Sequence, residues 1–416
     1  MIKPLRLLAM HAKQKNVTRK HLAYMYFTIP IILAIVTMLI ASCKEKSNIT
    51  NTGIIEIPVN VSDETEFNKF YSSFVEDIDF LPLETTPSNS IKQVADFLSY
   101  KNNLYIQQGH EDPIMVFNEN GKFKSLIGKF GKGPGEVDDI RSMALNNDSL
   151  IILDYIAIHA YDVNGNYLKY YTTGNRYNTP LSFYPDNFYF HNNYTYFFSC
   201  GRSEEFALYV FNSEGKMINK YFPMDYLITG FDSRFVNCGD KVLLIPPTGI
   251  DTIYALDNGN LLPVFHFNFG SAGINENDKL PTDKKDIWAV AKYFAENKKV
   301  SQIANVVDLD NFILFRFLYM NRAFMGVYDK YTNETKVLKS NSFSNVFNLL
   351  TSSLCIKKYD NNIIGFVNAW QIVDALEKKD YMCTFLPEKR RLELLEKLKN
   401  VKETDNPVLM IIKTKK

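Results

Sequence analysis

The segment whose residue types most resemble a chemical site is a glycine-rich loop, Gly128–Glu136, with the sequence GKFGKGPGE. A phosphate-binding P-loop requires lysine after its last glycine, and Pro134 follows Gly133 here. A dinucleotide fingerprint requires a third glycine where Glu136 stands. The loop is therefore best interpreted as a stiff turn between strands, with Glu136 accepting hydrogen bonds from loop amides. The functional alternative is a loop that borders a ligand channel, with Lys132 or Glu136 touching the ligand; its candidate contacts are Gly131, Lys132, Gly133, Pro134, Gly135 and Glu136.

Histidines are the next candidates, because neutral imidazole is a common metal ligand. Four follow residue 43, at positions His110, His159, His191 and His266. They show no clustered ligand spacing such as H-E-x-x-H, and G-x-S-x-G and EF-hand patterns are also absent from the sequence. We therefore predict no catalytic residue, no metal site and no cofactor.

Cysteines are sparse and widely spaced. No C-x-x-C pair occurs, so zinc-ribbon and thioredoxin-type sites are excluded. Outside the cytoplasm, up to two disulfides or four buried thiols are equally compatible with the sequence at Cys200, Cys238, Cys355 and Cys383.

The elements that would position such residues repeat along the chain. Each unit holds an apolar strand, a short Asn/Asp/Glu-Gly turn and a second strand, preceded by a further apolar strand. The turn glycines are Gly121, Gly165, Gly215 and Gly259, at intervals of 44, 50 and 44 residues. Periods of 40–50 residues with four strands are typical of propeller blades. A degenerate fifth turn lies near Asn333.

The repeat predicts an all-β fold, a six-bladed β-propeller with four-stranded antiparallel blades. Five blades fit between residues 91 and 340, and the sixth combines residues 341–370 with strands at 78–84 and 406–415. Joining the two ends of the chain in one blade closes the ring and removes its exposed edges. Two segments depart from the repeat and predict helix, near 275–300 and near 368–400.

The N-terminus predicts export. Residues 22–42 carry no charge, and six Lys or Arg residues precede them, which is the pattern of a secretory signal. The run ends in Ile40-Ala41-Ser42-Cys43, which resembles the lipobox of bacterial lipoproteins, in which the cysteine is lipidated. An uncleaved transmembrane anchor is the alternative. The predicted division is a lipoprotein signal peptide at 1–42, a lipidated tether and lead-in at 43–75, and the propeller at 76–416.

The charge balance bears on the partners. Residues 43–416 hold 41 basic and 46 acidic side chains. A nucleic-acid partner is not predicted, because it requires a basic face. The membrane is the predicted partner, through lipid on Cys43, which places the protein in the cell envelope, at the outer membrane and facing the periplasm or the surface.

Three segments together carry a family resemblance: GKFGKGPGE at 128–136, IDFLPLETT at 78–86 and DNPVLMIIKTK at 405–415. Over roughly residues 76–416 the chain resembles the six-bladed β-propeller lipoproteins of Bacteroidetes, which are related to NHL-repeat propellers. The resemblance implies a secreted or membrane-tethered propeller, and it implies no particular reaction. NHL-like lyases place metal-binding histidines around the propeller axis, but the four histidines here occupy non-equivalent places in their repeat units.

The favoured hypothesis is a non-enzymatic, lipid-anchored module that binds a protein, peptide or glycan on one face of the ring. The alternative is an NHL-like propeller enzyme, a lyase or hydrolase with its site in the central channel. A scaffold within an outer-membrane assembly is the third possibility.

Overall fold

The computed structural model describes residues 53–154, 157–172, 185–200, 204–224, 233–275, 277–278, 280, 287–338, 356–378 and 384–416. The predicted signal peptide and Cys43 lie outside this part of the chain. Among the described residues, no helix is long and apolar enough to cross a membrane.

The described chain begins with three strands and one helix. They are β1 (Ile55–Pro58), β2 (Glu64–Thr65), α1 (Phe67–Phe74) and β3 (Val75–Pro82).

Three blades of four antiparallel strands follow, each ordered from first to fourth strand. Blade 1 contains β4 (Asp96–Tyr100), β5 (Asn103–Gln107), β6 (Ile114–Asn118) and β7 (Phe123–Ile127). Two short parallel strands lie between blades 1 and 2, β8 (Lys129–Phe130) and β9 (Glu136–Val137). Blade 2 contains β10 (Ser142–Asn146), β11 (Ser149–Leu153), β12 (Ala157–Asp162) and β13 (Tyr167–Thr172). Blade 3 contains β14 (Asn187–His191), β15 (Tyr194–Phe198), β16 (Phe206–Phe211) and β17 (Met217–Pro223).

Blades 4 to 6 carry the additions to the repeat. Blade 4 contains β18 (Phe235–Asn237), β19 (Val242–Leu244), β20 (Thr252–Asp257) and β21 (Asn260–Asn268). A 3₁₀ turn (Gly270–Ala272) and helix α2 (Ile287–Glu296) precede blade 5, which contains β22 (Val300–Asp308), β23 (Phe312–Tyr319), β24 (Arg322–Asp329) and β25 (Glu334–Leu338). Blade 6 begins with β26 (Ile356–Tyr359) and β27 (Asn362–Val367), continues through α3 (Ala369–Lys378) and α4 (Glu388–Leu398), and returns in β28 (Val408–Thr414).

The six-bladed fold is confirmed, and its turns explain the repeat. Gly121 has φ of 74°, in the left-handed region that glycine enters without strain. Asn118 begins the same turn, and its side-chain oxygen accepts the backbone N–H groups of Asn120 and Lys122 at 3.0 and 2.9 Å. Asp162 and Asn212 make the same pair of bonds in the turns of blades 2 and 3, so the Asn/Asp-x-x-Gly pattern encodes one hairpin geometry.

Closure of the ring is also as predicted. Strand β28 pairs antiparallel with β3, and Leu409 faces Leu81 in the register. The N-terminal and C-terminal segments therefore share blade 6. The two predicted helical segments are present as α2 and as the pair α3 and α4.

Residues 53–74, the described part of the segment expected to be a tether and lead-in, form part of the propeller. Strand β1 pairs in parallel with β21 and gives blade 4 a fifth strand, and β2 does the same with β25 in blade 5. Ile57 is fully buried in the core cluster shared by these two blades. The described N-terminal segment thus joins three successive blades.

Candidate ligand-binding site in the propeller channel

The glycine-rich loop connects β7 of blade 1 to β10 of blade 2. The Gly133 N–H donates to Glu136 Oε2 at 2.8 Å, and the Glu136 N–H donates to the Gly133 carbonyl at 3.0 Å. At Gly131, where φ is 152°, a Cβ would overlap the Glu136 carboxylate. These contacts agree with the interpretation of the loop as a stiff inter-blade turn whose Glu136 accepts loop amides.

The same loop borders an off-axis cavity of about 490 Å³, opposite Asp154, His159 and Tyr167 of blade 2. Two other cavities lie near the propeller axis, and the described residues that line them do not include Gly131–Glu136. A ligand contact by the loop stays a prediction.

The four histidines occupy separate places in the ring. His110 pairs with Asp139 at 2.6 Å in the loops above blades 1 and 2, and His159 pairs with Asp154 at 2.9 Å inside blade 2. His191 lies on β14 and His266 on β21. The described part of the chain holds no group of three or more His, Cys, Asp or Glu side chains placed to bind a metal ion.

Two of the four cysteines after Cys43 are described, and both are thiols. Burial raises the pKa of Cys200, and it raises the pKa of Cys238 to about 11. A thiol that stays protonated near neutral pH is a weak nucleophile. Cys355 and Cys383 lie outside the described residues, so the disulfide question stays open for them.

The first strands of blades 1, 2, 3, 4 and 6 line a cavity of about 300 Å³ near the propeller axis. Asp96 of blade 1 and Lys357 of blade 6 meet there in an ion pair of 2.6 Å, mostly shielded from solvent. Asn237 donates to the Tyr189 hydroxyl at 3.4 Å across blades 4 and 3. The wall of this channel is therefore polar and already organised by contacts between blades.

A second cavity of about 320 Å³ adjoins the first where β4, β10 and β14 begin. We call it the channel mouth. Four residues line both cavities: Asp96, Ser142, Asn187 and Ser233. The mouth adds further polar side chains from the adjoining loops, namely Gln107, His110, Arg141 and Asp186.

Arg141 links blades 2 and 3 at this mouth. Its Nη1 donates to Asp186 at 3.0 Å and its Nε donates to Asp139 at 3.1 Å. Burial raises the pKa of the Asp186 carboxyl, and the Cys200 N–H and Arg141 partly oppose that rise. The arrangement fixes a guanidinium group and a carboxyl group at the entrance.

Gln107 is the least ordinary residue of the mouth. It is 4% exposed, and its Nε2 donates to the carbonyls of Ile140 and Arg141 at 3.0 and 3.3 Å. Its Oε1 is buried and has no hydrogen-bond partner in the described structure. Buried acceptors without a partner are uncommon in native proteins, and each requires an explanation.

The sequence comparison decides the family. Residues 52–413 match the model of DUF4934, which is described as a domain of unknown function. The chain belongs to the DUF4934 family. No curated protein matches it.

One solved structure agrees on the fold, and a second is reported as a weaker similarity. A protein of Bacteroides fragilis described as exported (BF0058) is 19% identical, with a TM-score of 0.69, and the alignment covers 87% of this chain and all of that one. A member of the DUF4221 family from Bacteroides vulgatus is 10% identical, with a TM-score of 0.47 over 82% of this chain and 97% of that one. The DUF4934 chain is thus a propeller similar to an exported Bacteroides protein, while membership of a lipoprotein or NHL-repeat family stays a prediction.

Sequence reasoning missed the channel mouth. Its residues come from blades 1 to 3 and, through Ser233, from the start of blade 4, and each alone resembles an ordinary polar residue near a turn. One signal was present, because Asp96, Ser142 and Asn187 each begin the first strand of a blade. Polar residues at equivalent repeat positions converge when the repeat closes into a ring.

Proposed function

We propose that this DUF4934 protein is a binding module of the cell envelope that receives a small ligand in the channel mouth. The observation that carries the proposal is the convergence of polar side chains from three blades on one cavity of about 320 Å³. Ligand sites are concave, few in number and equipped with a small set of fixed polar groups. The mouth has these properties, since Arg141 is held by two carboxylates and Gln107 by two backbone carbonyls.

The envelope location rests on the sequence and on one neighbour. The uncharged run before Cys43 favours lipidation of that cysteine, and the structurally similar BF0058 is described as exported. Two acyl chains hold a protein stably at a bilayer. Labelled palmitate should enter the wild-type protein in cells and be lost in Cys43→Ala, and unchanged labelling of the variant would contradict lipidation there.

The alternative of a lyase or hydrolase gains no specific observation from the described residues. The binding proposal therefore stands without a second candidate function.

The mouth can be blocked without disturbing the core. Ala95 is exposed and lines the mouth, so Ala95→Trp should fill the entrance. Glu119→Trp is the matched control, because Glu119 is exposed in the turn at the other end of blade 1.

The assay is thermal unfolding of the soluble fragment 51–416 with neutral sugars, charged sugars and dipeptides as probes. A ligand that binds the folded state raises the melting temperature. We expect at least one probe to stabilise the wild type and Glu119→Trp and to have no effect on Ala95→Trp. Equal shifts in all three proteins would contradict a site at the mouth.

A further inference from the structure

We infer that the channel mouth selects a neutral, polyhydroxylated ligand the size of one sugar ring. This inference rests on the proposed function and specifies the ligand class of the same site.

The first argument comes from charge. The charged side chains that line the mouth are paired within the protein: Arg141 with Asp186 at 3.0 Å, and Asp96 with Lys357 at 2.6 Å. His110 likewise lies 2.6 Å from Asp139. A ligand carboxylate or phosphate would meet an Arg141 already neutralised by two carboxylates, and a ligand amine would meet carboxylates already neutralised by Arg141 and Lys357. Because these charges are already paired, a charged ligand would lose its hydration without gaining an unpaired counter-charge, so charged ligands are disfavoured.

The second argument comes from the hydrogen-bonding groups that remain. Gln107 Oε1 is closed off from solvent, so a ligand meets the half-buried polar groups of the lining instead. Asn187 offers both a donor and an acceptor, and the carboxylates of Asp96 and Asp186 accept more than one bond each. Sugar hydroxyls donate and accept at once, so they match this mixed lining without breaking an ion pair.

The third argument comes from size and shape. The mouth holds about 320 Å³, at the lower end of the range for small-molecule sites. An extended peptide would need an open groove with a row of backbone groups, whereas this cavity lies at the ends of three first strands. One ring with several hydroxyls fits a space of this size lined by polar side chains.

Two variants test the polar contacts. Asn187→Leu keeps the side-chain size and removes its hydrogen bonds, and Asn120→Leu is the matched control in an exposed turn at the other end of blade 1. If Asn187→Leu fails to fold, Ala95→Trp still tests whether the ligand binds in the mouth.

The experiment is calorimetric titration of the soluble fragment with three neutral sugars (glucose, galactose and N-acetylglucosamine), with glucosamine and glucuronate as charged analogues, and with the dipeptide Gly-Gly. We expect a neutral sugar to bind at least about tenfold more tightly than either charged analogue, and Asn187→Leu to weaken it by about tenfold or more while Asn120→Leu does not.

The outcomes separate the two proposals. Preference for a charged sugar or for Gly-Gly, abolished by Ala95→Trp, would overturn the ligand class and leave the binding site in place. Absence of binding by every neutral sugar would overturn the ligand class as well. Binding that Ala95→Trp leaves unchanged would overturn the site and the ligand class together.

Discussion

One buried asparagine reinforces the closure of the ring, and its contacts give a quantitative prediction. Asn406 lies just before β28 and is 2% exposed. Its Oδ1 accepts the Ile91 N–H at 2.7 Å, and its Nδ2 donates to the carbonyls of Glu84 and Asn89 at 2.8 and 2.9 Å. The C-terminal strand is thereby fastened to the segment between β3 and β4.

The variant Asn406→Ala removes all three side-chain bonds and leaves buried backbone groups without partners. Each such bond contributes about 1 kcal/mol net, and each unsatisfied buried group adds a further penalty, so we expect a loss of about 3–5 kcal/mol. That is a large part of a typical folding free energy of about 5–15 kcal/mol.

Urea unfolding of the soluble fragment, followed by fluorescence, measures this loss. With a slope of about 3 kcal/mol per molar urea, the midpoint should fall by about 1 M or more. Asn212→Ala is the control, since the Asn212 side chain also accepts two backbone N–H groups but in an exposed turn. If Asn406→Ala lowers the midpoint no more than Asn212→Ala, the proposed fastening of the ring is refuted.

Three further predictions concern the blades. Burial raises the pKa of the Asp251 carboxyl to about 6 although His266 and Lys299 oppose it, so its ionisation destabilises the fold by about 3 kcal/mol. The stability of the protein should therefore fall as pH rises from about 4 to 6. Melting curves should show that Asp251→Asn stabilises the protein at pH 7 and not near pH 4, and equal effects at both pH values would contradict this. Ile57→Ala should cost about 2–5 kcal/mol in urea unfolding because Ile57 is fully buried, whereas a residue in a free tether would cost nothing measurable. Gly131→Ala should lower the melting temperature, because the added Cβ overlaps the Glu136 carboxylate. The same substitution should lower the melting temperature less when Glu136→Ala is also present. Strictly additive effects of the two substitutions would argue against the contact.

The local parts of this fold were predictable because their causes are local. The turn at Gly121 is encoded by a left-handed glycine and by an asparagine that binds two backbone amides. The closing strands at 78–84 and 406–415 were identifiable because a ring of blades requires partners for both chain ends. The bond that Glu136 accepts from the Gly133 N–H was predictable because both groups lie in the same glycine-rich turn.

The remaining parts depend on contacts between distant residues. Strand β1 pairs with β21, a partner about two hundred positions away in the chain, and nothing in Ile55–Pro58 specifies which blade edge it covers. The channel mouth was missed for the same reason, since Gln107, Arg141 and Asp186 belong to different repeats. Only the closed ring places them around one cavity.

The most direct test of the account is a pair of titrations, in which the same neutral sugars are added to the wild-type fragment and to Ala95→Trp. The account predicts saturable binding of at least one sugar to the wild type and none to the variant whose mouth is blocked. Equal binding to both proteins, or no binding to either, would contradict the assignment of the channel mouth as a site for a neutral, polyhydroxylated ligand.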